Sequence, residues 1–244
     1  LGKDVVFYKA GRTVEGRSAT ASHTASVAGD YAVCENAIAQ AGAFVASDFG
    51  EFSDYLRLAL PLRGKAVAGN RVAAVSNAGY ESVGMADSIR YRGAELVLPP
   101  FGARTEEALA KILFDSRLDG LVDVENPLDL TPMTGDIAYA DLIHEVLGDE
   151  GIDAAVVGIV PLTPALQTLP PGEAYNESID DPSSIARRLP RAAAATDKPV
   201  IAVIDSGSLF DPLAEALRSS GLPVFRSADR AMRALCKWID IKRN

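Results

Sequence analysis

Two residue types that would give quick answers are almost missing. The chain of 244 residues holds two cysteines and two histidines. Cys34 and Cys236 lie far apart on apolar, helix-like faces and show no zinc spacing, so buried free thiols are expected and no metal site is read. No run of about eighteen apolar residues occurs, and no charged start precedes an apolar signal region. A cytoplasmic protein without a membrane span is therefore expected. A basic stripe is also missing: the net charge is −9, with acids spread throughout, which argues against a sequence-independent grip on nucleic acid. The chain opens at Leu1, without a methionine, and runs almost directly into the strand-like Val5-Val6-Phe7-Tyr8. It is expected to be a piece of a longer protein.

What is present is enough apolar residue, 48%, to build one large domain or two modest ones. From the start, a short strand, a helix through Tyr31, Cys34 and Ile38, the run Ala43-Phe44-Val45-Ala46 and a helix from Glu51 to Leu60 follow one another. That is too few strands for a complete doubly wound domain, so residues 1–64 read as the second half of one. The turn-rich stretch from Pro61 to Asn70 marks the boundary with a second unit, residues 65–244. There the buried-type strand Val72 to Ser76 is followed by a helix through Val83, Ala86 and Ile89, then by Leu96-Val97-Leu98 and a helix capped by Thr105. A short strand at Asn126 to Thr131 and a helix from Ile137 to Leu147 come next. Asp153 to Val160 is apolar on both faces, as a central parallel strand requires. Gln167 to Ser184, rich in proline and acid, reads as an exposed, mobile loop. A helix over 185–195 with Pro190 inside it, a strand at 199–204, a helix through Leu213 and Leu217, the strand Pro223-Val224-Phe225 and a helix capped by Ser227 complete the chain. The fold class is α/β, a flavodoxin-like parallel sheet flanked by helices and preceded by a partial α/β segment.

Ligands of such sheets bind beyond the carboxyl ends of the strands. That rule points to the turn Asn77-Ala78-Gly79 and to the turn Pro161-Leu162-Thr163. Both are equally the pattern of ordinary strand-to-helix turns. His144 lies among polar neighbours on a helix face and reads as solvated.

The most informative stretch precedes the first of these helices. His23 lies in Ser22-His23-Thr24 after the small residues Ser18, Ala19 and Ala21, which suit a movable loop, and just before the helix whose apolar stripe begins at Val27. A neutral imidazole is a good nucleophile near neutral pH, and the positive end of a following helix would steady a phosphoryl group held there. A lone histidine in a polar loop is also the pattern of a surface residue or a cap.

The stretch from Asp4 to Asp30, with Lys9-Ala10-Gly11-Arg12-Thr13, Gly16 and Ser22-His23-Thr24, resembles the phosphohistidine segment of ADP-forming acyl-CoA synthetases, relatives of succinyl-CoA synthetase. Ala25 stands where that family usually has glycine. Asn126-Pro127-Leu128-Asp129-Leu130-Thr131 is similar to the family's N-P-x-D-L-T segment. The resemblance implies that His23 carries a phosphoryl group and that the turn after Val160 begins an anion-binding helix near Thr163. Pro161-Leu162-Thr163 stands there in place of a glycine-rich turn, with the Thr163 hydroxyl able to replace a backbone donor. Asn77, Gly79, Leu162 and Thr163 become the phosphate or substrate contacts. The resemblance also implies a CoA-binding domain and an ATP-grasp domain or subunit binding MgATP or MgADP. Neither is recognisable in this chain, which carries no glycine-rich dinucleotide fingerprint. The partners expected are those parts, a small carboxylic acid or its acyl-CoA, and further copies in an oligomer. A non-catalytic binding or assembly module of the same fold, and a relative acting on an oxamate-type or citrate-type substrate, remain open.

Overall fold

The computed structural model describes residues 3–24, 29–173 and 175–243. A first parallel pair joins β1 (Val6–Tyr8) to β2 (Phe44–Ala46), with Val6 opposite Phe44. Between them run α1 (Val14–Thr24) and α2 (Tyr31–Gln40), and α3 (Phe49–Ala59) follows. The Asp30 carboxylate caps α2 by accepting from the Val33 N–H, and Gly42 leaves the helix with a φ of 79°, the left-handed conformation that glycine adopts without a Cβ clash.

The expectation of a movable loop before His23 is overturned. Ser18, Ala19, Ala21, Ser22 and His23 are helical, and His23 sits in the last turn of α1, not just ahead of a helix. Local forces explain this. The Thr13 hydroxyl accepts from the Gly16 N–H at 3.0 Å, a cap of the N-terminus, and the alanines that follow are the best helix formers. Val27, expected to start the next apolar stripe, lies outside the described residues.

From Val72 the chain builds one five-stranded parallel sheet in the order β6, β3, β7, β8, β9. These are β3 (Val72–Ser76), β6 (Leu128–Asp129), β7 (Ala154–Gly158), β8 (Val200–Val203) and β9 (Val224–Phe225). Counted within the sheet the order is 2-1-3-4-5, the flavodoxin-like arrangement, whose direction of winding reverses between β3 and β7. A small hairpin, β4 (Arg90–Tyr91) with β5 (Ala94–Glu95), sits outside it. The helices are α4 (Gly79–Asp87), α5 (Ala103–Asp115), α6 (Asp136–Gly148), α7 (Ile185–Ala194), α8 (Asp211–Ser219) and α9 (Ala228–Arg243). Thr105 lies inside α5, whose cap position is held by Gly102, and Ile89 falls beyond the end of α4.

Each face of the sheet is covered. Val75, Val157 and Ala202 face α5, α6, α7 and α8 through residues such as Leu109, Tyr139, Leu189 and Leu213. Val72, Val156 and Val203 face the other way, and that core runs without a break through Met85 and Trp238 into Phe44, Tyr55 and Leu58 of the first segment. Phe44 stacks on Trp238 with ring centroids 4.4 Å apart. The segment before Pro61 thus shares a core with the larger sheet. The Asp54 carboxylate adds a polar tie by accepting two bonds from Arg230 of α9 at 3.1 and 2.7 Å.

The stretch from Gln167 to Ser184 is exposed in its middle, at 171–173 and 175–176, as expected of a loop, but it is anchored at both ends. Leu166 and Ile179 are buried, and the Ile179 N–H donates to the Leu169 carbonyl. The buried Asp136 carboxylate, at the start of α6, accepts from the Gln167 N–H at 3.0 Å and from the Ile185 N–H at 2.6 Å. One side chain therefore ties down both ends of the segment.

Candidate functional site

His23 lies in the last turn of α1, the helix that follows the carboxyl end of β1. After Tyr8 ends β1, Gly11 turns the chain with a φ of 88°, and a Cβ on Gly16 would come within 3.4 Å of the Gly11 Cα. The two glycines of the motif let the start of α1 fold back onto the turn that follows the strand. By backbone position His23 stands at the carboxyl, partly negative end of α1, and seven residues separate it from the first residue of α2.

The other four expected site residues gather at the carboxyl edge of the large sheet. Asn77 is buried, and its side chain donates to the Val160 carbonyl at 2.9 Å while accepting from the Val160 N–H at 2.8 Å. This joins the turn after β3 to the turn after β7 at the point where the winding reverses. Gly79 opens α4, and any side chain there would come within 2.9 Å of the Asp129 carboxylate. An acid of β6 thus stands over the start of this helix.

Leu162 is 82% exposed and has a φ of 74°, a left-handed backbone that costs a non-glycine residue roughly 1–2 kcal/mol. The Thr163 hydroxyl donates to the Pro132 carbonyl and accepts from the Ala165 N–H at 3.1 Å. The expected helix start near Thr163 is absent; the next helix begins at Ile185. The cause is local, because Leu162 is left-handed and Pro164 disfavours the helical conformation at Thr163. Donors at this turn must therefore come from single backbone groups rather than from a helix end.

Sequence reasoning missed the centre of this edge. Glu81, in the first turn of α4, is only 1% exposed. Its Oε2 accepts from the Ser76 hydroxyl at 2.5 Å, and that hydroxyl accepts from the Ala78 N–H at 3.2 Å. The other oxygen, Oε1, is buried with no hydrogen-bond partner among the described residues. Burial pushes the Glu81 carboxyl up to about 7, with the Ser76 bond opposing and nearby Asp205 adding to the rise. Space for it exists because β7 ends in Gly158, where a Cβ would fall 1.7 Å from Oε2. Tyr139 of α6 caps the same place by donating to the Gly158 carbonyl. The available signal was Gly158 itself, since a glycine inside an apolar central strand marks a close approach.

Large apolar side chains stand exposed beyond four strands of this edge: Tyr80 after β3, Met133 after β6, Leu162 after β7 and Leu209 after β8. Among the described residues no group of three or more metal-ligating side chains forms, and no helix is long and apolar enough to cross a membrane.

Comparison with known proteins agrees with this architecture. Residues 1–59 match the family model for the succinyl-CoA ligase like flavodoxin domain. The chain is 29% identical, over 99% of its length and 48% of the relative's, to the α subunit of acetate–CoA ligase [ADP-forming] II of Pyrococcus furiosus. It is 26% identical, over 99% of its length and 32% of the relative's, to a trans-feruloyl-CoA synthase from an unknown prokaryotic organism. The structure superposes with a TM-score of 0.77, at 24% identity, on the dinucleotide-forming acetyl-coenzyme A synthetase 1 of Ca. Korarchaeum cryptofilum, whose structure was solved with phosphate and ADP. That match covers 99% of this chain and 47% of the other, and the chain spans about half the length of the acetate–CoA ligase α subunits it resembles. Residues 1–59 thus match the succinyl-CoA ligase like flavodoxin type of domain, and nearly the whole chain is similar to part of the α subunits of ADP-forming acetate–CoA ligases.

Proposed function

We propose that this chain is the phosphohistidine-bearing part of an ADP-forming acyl-CoA synthetase acting in acyl-CoA + ADP + phosphate ⇌ carboxylate + ATP + CoA. The observation that supports the reading is the match over 99% of this chain to 48% of an ADP-forming acetate–CoA ligase α subunit, in a chain that holds Ser22-His23-Thr24 between β1 and α2. Phosphate first displaces CoA from the acyl-CoA to give an acyl phosphate. The His23 imidazole then attacks phosphorus, releasing the carboxylate, and the phosphohistidine finally passes its phosphoryl group to ADP. The chain's share is a nucleophile and a set of backbone donors for a phosphate or carboxylate, at the turn of Asn77 and Gly79 and at the turn of Leu162 and Thr163. CoA and MgATP or MgADP bind on other domains or a partner subunit, so this chain alone does not turn over. The assembly is an oligomer, its acid substrate is small and its place is the cytoplasm.

The test is intact-mass and acid-lability analysis of the complete synthetase after incubation with MgATP, beside His23→Ala. An acid-labile phosphoryl group present in the wild type and missing in the variant supports the reading. An unlabelled, folded wild type sinks it and leaves a binding or assembly module of the same fold.

A further inference from the structure

The carboxyl of Glu81 is placed where an ionised group is hard to hold. Oε2 is used by Ser76, Oε1 has no partner, and the acid that acts on it, Asp205 just beyond β8, has the same sign. Tyr139 faces it from α6, Tyr80 precedes it on its own helix, and Asp129 of β6 stands over Gly79 two residues away. A buried carboxylate oxygen without a donor costs far more than a neutral hydroxyl in the same spot. Because Oε2 accepts from Ser76, the proton of the neutral acid lies on Oε1. The relay then runs from the Ala78 N–H to the Ser76 hydroxyl and from that hydroxyl to Glu81 Oε2, which fixes the backbone leading into α4.

We propose that Glu81 is a positioning residue: as a neutral acid seated on Gly158 it holds, through Ser76, the turn Asn77-Ala78-Gly79 in its ligand-binding form. Loss of the proton drives the carboxylate off Gly158 toward solvent and releases the turn. Nothing in the sheet's packing requires a glutamate here; an apolar residue would fill the first turn of α4 at lower cost. The function of the turn rests on the phosphate-binding reading above, whereas the latch itself can be observed without any activity.

The experiment is an NMR titration of this chain, following the Glu81 carboxyl carbon and the amides of Ala78, Gly79 and Tyr80 in the wild type, Glu81→Gln and Glu81→Ala. The wild-type carboxyl should titrate near 7, with the three amides moving at the same midpoint. Glu81→Gln, a permanently neutral isostere, should hold the amides at their low-pH positions throughout, and Glu81→Ala should displace them at every pH. Gly158→Ala should displace them much more in the wild type than on the Glu81→Ala background, because its severe clash, 1.7 Å, is with Glu81 Oε2, and only the milder 3.0 Å approach to Ser76 Oγ remains once Glu81 is truncated. A carboxyl titrating in the ordinary glutamate range, or an unchanged pH response in Glu81→Gln, overturns the proposal.

Inorganic phosphate added to the same samples separates the latch from the function. Relative to Glu81→Gln, wild-type phosphate affinity should weaken about tenfold per pH unit above the midpoint. An intact latch whose amides ignore phosphate would refute the phosphate-binding reading of this turn and leave the latch standing.

Discussion

The Asn77 side chain and the Val160 backbone exchange two hydrogen bonds, at 2.9 and 2.8 Å, and so hold together the two turns between which the sheet reverses its winding. Both ends of the amide are used, and the residue is buried. Asn77 is therefore a strut of the site as well as a candidate contact.

Asn77→Asp keeps an acceptor for the Val160 N–H but sets a carboxylate oxygen against the Val160 carbonyl. A loss of about 2 kcal/mol is expected, from one bond replaced by a repulsion in a buried place. Urea unfolding of variant and wild type measures it, and equal midpoints would show that the turns are held by other contacts.

Asp136 governs the segment from Gln167 to Ile185. Asp136→Ala leaves both N–H groups without their acceptor, which should cost about 2–3 kcal/mol and speed amide exchange at Gln167 and Ile185 more than elsewhere. Unchanged exchange at those two amides would remove the carboxylate from its anchoring role.

Phe44 tests whether the first segment and the large sheet are one cooperative unit. Phe44→Ala removes a ring that stacks on Trp238 and packs beside Tyr55, a cavity expected to cost about 3–5 kcal/mol. Unfolding followed by Trp238 fluorescence should report that loss in a single transition. A variant that melts residues 3–59 separately, with the Trp238 signal unmoved, would contradict a shared core.

Asp153 contributes to the acid sensitivity of the larger unit. It accepts from the Arg71 Nε, Nη2 and backbone N–H, and these bonds hold its carboxyl below the usual carboxylate range. A depressed pKa in the folded chain contributes stability that is present above the unfolded value of about 3.9 and is lost as the pH falls through the folded value. Wild type should therefore be more stable than Asp153→Asn at pH 7, with the two converging in acid. Glu81 has the opposite sign: its raised pKa contributes stability that is complete below the unfolded value and lost as the pH rises to about 7. Denaturation midpoints of Glu81→Gln should fall less than those of the wild type across that window.

Much of this was legible because it depends on short-range pattern. The apolar run of β7, the glycine at the end of α2 and the alternation of strands and helices follow from side-chain periodicity and backbone stereochemistry, which neighbouring residues decide. The motif from Lys9 to Thr24 was legible through resemblance. Its conformation was not, because cap and propensity made a helix where small residues had suggested a loop.

What the sequence by itself determined is the parallel α/β class and the placement of the turns at Asn77 and Leu162 beyond strand ends, since both are written in local periodicity and turn chemistry. Only the tertiary structure decided that Glu81 sits on Gly158, 77 positions further along the chain, that Asp136 clasps Gln167 and Ile185, and that Phe44 meets Trp238. Each of these depends on which elements the sheet order brings side by side. No window of neighbouring residues contains that order, because it is set by burying two faces of one sheet at once.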